Sequence, residues 1–249
     1  MQYKEYGIQN EDVIILLHGG GLSWWNYHDE AQLLKDRYHV ILPILDGHGG
    51  CDRHFTSIKD NARKIIEFID QKFNGSVLLM GGLSLGGQIL LEILSSRKDI
   101  TRYALIESAN VIPSRVTGTI LERSLILSYR LISNPSFAKA QFRNLRIRDE
   151  LFNDYFRDTC RIEKTDLISF MKASTSYSLK PSLKQSEAEI HIYAGAKDNL
   201  NIIRSAKMIK ALIKDSTLAF VDGLYHGQLS LNHPDMYAGI ISSITGRSK

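Results

Sequence analysis

The sequence predicts an α/β fold: a doubly wound, mostly parallel sheet covered by helices, with a helical segment inserted into it. Two observations carry that reading. Short runs that are apolar throughout alternate with segments of helical period, the pattern of a parallel sheet buried on both faces. The alternation stops near Pro113, stays helical until about Ser182, and then resumes.

The elements follow in order. Val13–Leu17 is a β-branched run ending at His18-Gly19-Gly20-Gly21. A helical stretch from Asp29 to Asp36 leads to the run Val40–Pro43. From Ser57 to Lys72, apolar residues at Ile58, Ala62, Ile65, Ile66 and Ile69 repeat with a helical period. Val77–Met80 reads as a buried strand, Gly87–Ser96 as a helix and Tyr103–Ile106 as a strand. The insertion holds four predicted helices, 120–133, 136–145, 149–159 and 163–176, with Asn134-Pro135 breaking the first from the second. Strand Glu189–Tyr193, helix Ile202–Ile213, strand Thr217–Val221 and helix Pro234–Ile244 complete the chain. The insertion reads as a lid over the site, not as a separate domain.

Composition narrows the function classes. A chain of 249 residues supplies one large core. No apolar run approaches the length of a membrane span, and Val13–Leu17 is too short for a signal-peptide core, so cytoplasmic residence is expected. Cys51 and Cys160 make no disulfide framework and suit a reducing compartment. The net charge is +4, and residues 113–185 carry 13 Lys/Arg against 7 Asp/Glu. That surplus reads first as a solvated helical face and only second as a preference for acidic ligands. It contains no run of basic residues that would suggest nucleic acid.

Gly82-Leu83-Ser84-Leu85-Gly86 is the strongest chemical signal. It follows a strand and opens a helix, the context that turns Gly-x-Ser-x-Gly into a nucleophile turn. A serine needs a base to take its proton and an acid to orient that base. His226, in Gly223–Gly227, and Asp198, in Gly195–Asp198, each lie just past a predicted strand. Chain order is therefore serine, aspartate, histidine. Glu107, at the end of the strand before the insertion, is the alternative acid. An acyl-transfer oxyanion also needs backbone donors, and the natural ones are Leu85 N–H with Gly20 N–H or Gly21 N–H. Trp24, Trp25 and Tyr27 follow the glycine run, either as an aromatic wall for substrate or as core under the insertion. His18 reads as a brace for the glycine loop. The run Asp46–His54 fits no standard ligand spacing, so no metal and no cofactor are expected.

Together these residues resemble the α/β-hydrolase superfamily over nearly the whole chain. His18–Gly21 looks like the oxyanion loop of esterases and lipases, Gly82–Gly86 like the nucleophile elbow, and residues 113–182 like the helical cap. The resemblance implies a hydrolase core of residues 1–112 and 183–249, with seven or eight strands and the cap inserted between the sixth- and seventh-strand positions. Many members carry an aspartate where this chain has Ile44, in Asp-x-x-Gly-His-Gly. The pattern here, Pro43-Ile44-Leu45-Asp46-Gly47-His48-Gly49, is similar to carboxylesterases and monoacylglycerol-lipase-like enzymes. The resemblance therefore implies a serine hydrolase acting on a small carboxylic ester, thioester or lactone, as a monomer or homodimer. Other acyl-transfer or C–C hydrolases of the same fold, and a non-catalytic small-ligand receptor, are the alternatives. A serine at the elbow argues against dehalogenases and epoxide hydrolases, which use aspartate there.

Overall fold

A computed structural model describes residues 1–246, without the side chains of residues 115–121. Its centre is a seven-stranded sheet: β1 (Tyr3–Tyr6), β2 (Val13–Leu17), β3 (His39–Pro43), β4 (Val77–Leu83), β5 (Thr101–Glu107), β6 (Glu189–Gly195) and β7 (Thr217–Val221). The order across the sheet is β1-β3-β2-β4-β5-β6-β7. All neighbours are parallel except β1, which pairs antiparallel with β3. Seven is the lower of the two expected counts. Counted on the strands present, the helical insertion lies between β5 and β6.

Strand side chains alternate between faces, and the apolar runs supply a core on each side. Ile15, Leu17, Met80, Ile106 and Ile192 pack with Ile65 and Ile69 of α2 (Ile58–Lys72), Ile89 and Leu90 of α3 (Leu85–Ser96), and Ile209 of α8 (Leu200–Leu212). Ile14, Leu16, Val40, Leu79 and Leu105 pack on the other face with Leu34 of α1 (His28–Leu34) and Ile241 of α10 (Pro234–Ile244). Strand β1 was not expected. Its sequence, Tyr-Lys-Glu-Tyr, carries no apolar run, because it is an edge strand whose central Lys4 and Glu5 are exposed.

The insertion is helical, as predicted, with shifted ends. It comprises α4 (Arg115–Ser128), α5 (Pro135–Leu145), α6 (Phe152–Thr159) and α7 (Lys164–Ser176). Helix α4 begins five residues before the expected start at Ile120 and gives way to a 3-10 turn at Tyr129–Leu131. Asn134 caps α5 by accepting from Ser136 and Phe137 amides, with Pro135 at the first helical position. No helix among the described residues is long and apolar enough to cross a membrane.

Parallel register brings the carboxyl ends of β2, β4, β5, β6 and β7 to one edge. Leu17 pairs with Gly82, Leu83 with Glu107, Glu107 with Tyr193, and Gly195 with Val221. Ligand sites of open α/β sheets form beyond this edge. The β4–α3 turn fits there only because of its glycines. A Cβ on Gly86 would stand 2.1 Å from Leu17 O and 2.6 Å from His18 O, and one on Gly82 would stand 2.5 Å from Gly86 O. Backbone atoms cannot swing aside as a side chain can. Gly86→Ala is therefore expected to destabilise the protein by about 2 kcal/mol or more, measured by urea unfolding; a loss under about 0.5 kcal/mol would contradict this packing.

Candidate active site

Ser84 is the residue between β4 and α3, and its backbone sits at φ 53, ψ −109. That left-handed φ is costly for a residue with a Cβ and is held by the packing around it. Ser84 N donates to Glu107 O at 2.8 Å, and Ser84 O accepts from Gln88 N at 2.9 Å. Leu85 is the first residue of α3, so its amide is one of those a helix leaves without an internal acceptor. The helix N-terminus also favours negative charge beside Ser84.

The glycine loop lies against this turn. Leu22 N closes it on Gly19 O at 3.2 Å, with Gly21 at φ 76 in the third position, where a turn of this kind needs a left-handed residue. A Cβ on Gly20 would touch the Leu85 side chain at 3.5 Å, so the two turns adjoin. Gly19 N donates to Asn26 Oδ1 at 3.2 Å. His18 is fully buried; its Nε2 accepts from Leu45 N at 3.1 Å, and its Nδ1 meets Gly19 O at 2.9 Å. Those partners fix the Nδ1–H tautomer. Burial, helped by neighbouring His48, holds the His18 pKa well below its ordinary value. His18 is thus a neutral brace tying the glycine loop to the end of β3.

Asp198 and His226 come from the ends of β6 and β7. Lys197 N donates to Leu224 O and Ala196 N to Val221 O, both at 2.9 Å, which staples the two loops together. Gly195 has no room for a Cβ, since Leu224 O would lie 2.3 Å from it. His226 Nδ1 is 3.0 Å from Asp198 Oδ2, and Asn199 N donates to Asp198 Oδ1 at 2.7 Å. The Asp198 side chain is 1% exposed and that of His226 is 44% exposed. An acceptor-only carboxylate thus holds the ring by its inner nitrogen and leaves Nε2 for the cleft. Gly227, at φ 68, packs on Leu83, which seats the histidine loop beside the serine turn.

Ser84, Asp198, His226 and Gly20 line one cleft of about 400 Å³, closed by Leu22, Leu83, Leu231 and the insertion residues 144–147. A second, more polar cleft shares Ser84 and His226 and is lined by Asn110, Ser174, Thr175 and Asn201. Among the described residues no hydrogen bond joins Ser84 Oγ to His226. Such contacts are often loose in free enzymes and tighten with substrate.

Residues 14–239 match the Alpha/beta hydrolase family. The chain belongs to that family. Among solved structures, the chain is similar to an esterase from Exiguobacterium antarcticum, with 19% identity and a TM-score of 0.83, covering 98% of this chain and 94% of that one. It is also similar to a thermophilic esterase from Thermogutta terrifontis, with 14% identity and a TM-score of 0.80, covering 99% and 93%. A bromoperoxidase from Bacillus anthracis gives 16% identity and a TM-score of 0.82, covering 99% and 95%. At these identities the likeness concerns the fold.

The three expected pocket residues are not brought to the Ser84 cleft. Trp25 and Tyr27 are 1% and 0% exposed and belong to the core. Trp25 Nε1 donates to Asp158 Oδ2 at 3.0 Å, and the Tyr27 ring lies 5.4 Å from that of Tyr237. Trp24 stays at the surface, edge-on to His28 and beside Lys4. The 3-10 turn Trp24–Tyr27 buries Trp25 and Tyr27 in the core, and burial of such large apolar area outweighs exposure at the cleft. Leu85 and Gly21 are also absent from the cleft lining, so any part they take falls to their backbone amides. Conversely, Arg146, Lys197 and Tyr225 do line it and carry no sequence motif. His54, Glu163 and Asp166 bring three ligand-type atoms within 4.8 Å, apart from this cleft. There Asp166 already accepts from Phe55 N at 2.8 Å and contacts His54 Nδ1 at 3.1 Å, clasping α7 to the loop after β3.

Glu107, the alternative acid, is buried behind the histidine loop. Its Oε1 accepts from Ser230 N at 3.3 Å, whereas the hydrogen bond to the His226 ring belongs to Asp198. Burial is the main cause that raises its pKa to about 7. The folded state therefore keeps a proton that the unfolded chain releases near its ordinary value of 4.5, so stability falls as pH rises through that window. Glu107→Gln is expected to match the parent at about pH 4 and exceed it by about 3 kcal/mol at about pH 8. Denaturant titrations at both pH values check this; a difference independent of pH would contradict it.

Proposed function

We propose that this alpha/beta hydrolase is a serine hydrolase of small carboxylic esters, thioesters or lactones, working through an acyl-enzyme on Ser84. The observation that carries the reading is the meeting, in one cleft, of a serine on a strained strand-to-helix turn with an Asp198-held His226 and the Gly20 loop. His226 Nε2 takes the Ser84 proton as Oγ attacks the substrate carbonyl. Leu85 and Gly20 amides donate to the oxyanion that forms, and Asp198 stabilises the imidazolium. The same histidine then protonates the leaving oxygen or sulfur. Water, deprotonated by His226, releases the acid and restores Ser84.

Two clefts flank Ser84, so acyl and leaving groups have separate seats. Residues 113–182 act as the lid over them, supported by the presence of insertion residues 144–147 in one cleft and Ser174 and Thr175 in the other. Cytoplasmic residence is part of this reading, supported by the two free thiols, Cys51 and Cys160.

Kinetics on a neutral p-nitrophenyl ester test the roles. Ser84→Ala and His226→Ala are each expected to lower kcat by about 10⁴-fold or more, with Asp198→Asn losing less. All three should retain the parent's circular dichroism. A Ser84→Ala protein hydrolysing the ester within about tenfold of the parent rate would end this assignment.

A further inference from the structure

The cleft beside Ser84 has an apolar body and a cationic wall. Leu22, Leu83, Leu145, Ile147 and Leu231 form the first; Arg146 and Lys197 form the second. Both cations lie against the Tyr225 ring, Arg146 at 3.8 Å and Lys197 at 5.7 Å from its centroid. Among the described residues neither is paired with a carboxylate, and Asp198, the carboxylate lining the same cleft, is engaged by His226.

The backbones that carry these groups are fixed, although the Arg146 and Lys197 side chains are exposed. Arg146 has a left-handed backbone at φ 57 where α5 ends, and its carbonyl accepts from Gln228 Nε2 and Asn232 Nδ2, both at 2.8 Å. Asn232 Oδ1 accepts in turn from Arg148 N at 3.0 Å. Gln228 Oε1 accepts from Tyr225 N at 2.8 Å, so one side chain holds the backbones of both Tyr225 and Arg146. Lys197 directly precedes Asp198, and its amide is fixed on Leu224 O. Helix α9 (Gln228–Asn232), which begins two residues after His226, thus ties the Arg146 backbone to the histidine loop, and that loop also accepts from the Lys197 amide at Leu224.

We propose that this cleft selects substrates with an apolar body ending in an oxyanion, carboxylate or phosphate, which Arg146 and Lys197 bind beside the Tyr225 ring. The proposal rests on the acyl-transfer reading of Ser84 and adds the substrate class to it. A planar guanidinium held on an aromatic face keeps its edge donors free for bidentate contact with an oxyanion. The second cation adds attraction that salt would screen.

The test is titration calorimetry on Ser84→Ala, which binds without turnover, using monoethyl glutarate, ethyl phosphate and the neutral diethyl glutarate. At least one anion is expected to bind about tenfold more tightly than the diester at low salt, and the pair shows which oxyanion is preferred. Adding Arg146→Gln and Lys197→Gln should shrink that advantage to about twofold or less. A diester bound as tightly as both anions, an advantage surviving both substitutions, or no binding of any probe would overturn the proposal. In parallel, the parent protein is assayed on p-nitrophenyl esters. Absence of turnover there would remove the acyl-transfer reading, while the titration would still decide the anion preference.

Discussion

Everything at the candidate site depends on how closely the β4–α3 turn approaches the end of β2. Gly86 lies under the carbonyls of Leu17 and His18 with space for a hydrogen and nothing larger. That approach brings the helix N-terminus and the glycine loop side by side, the arrangement on which the proposed oxyanion site rests. It also leaves Ser84 no relaxed backbone, because the chain must reverse from strand to helix within a single residue. The strain is local, and the buried parallel strands on either side supply the stability that sustains it.

The other half of the site is built by a different device. Asp198 and His226 come from the loops after β6 and β7, and the main-chain bonds from Ala196 and Lys197 to Val221 and Leu224 make those loops one unit. The carboxylate is buried and the imidazole half open, which is the division of labour that acid–base chemistry requires: an orienting group shielded from water and a ring that reaches it. Behind them, Glu107 is a buried carboxyl raised by desolvation, bound to the amide of Ser230 and not to the histidine ring.

Much of this was legible in the sequence for physical reasons. Buried parallel strands must be apolar on both faces, so Val13–Leu17, Val77–Met80 and Tyr103–Ile106 announce themselves as runs. Asn134-Pro135 marks a helix start because an asparagine oxygen and a proline ring suit that position. The serine turn is legible because packing permits no alternative to glycine at 82 and 86. Strand β1 was hidden, since an edge strand needs no apolar run, and α9 was hidden because five residues hold no period. Trp25 and Tyr27 follow the glycine loop in sequence but turn into the core, a direction that adjacency cannot reveal. Arg146, Lys197 and Tyr225 meet only in three dimensions, and Arg146 sits within the basic segment 113–185 that reads as a solvated face.

The central claim, that Ser84 is an activated nucleophile, is tested most directly by treating the folded protein with a fluorophosphonate probe and locating the adduct by mass spectrometry. The account predicts one adduct, on Ser84, lost when His226 is replaced by alanine. No adduct under conditions that label a control esterase, or an adduct on another residue, would contradict it.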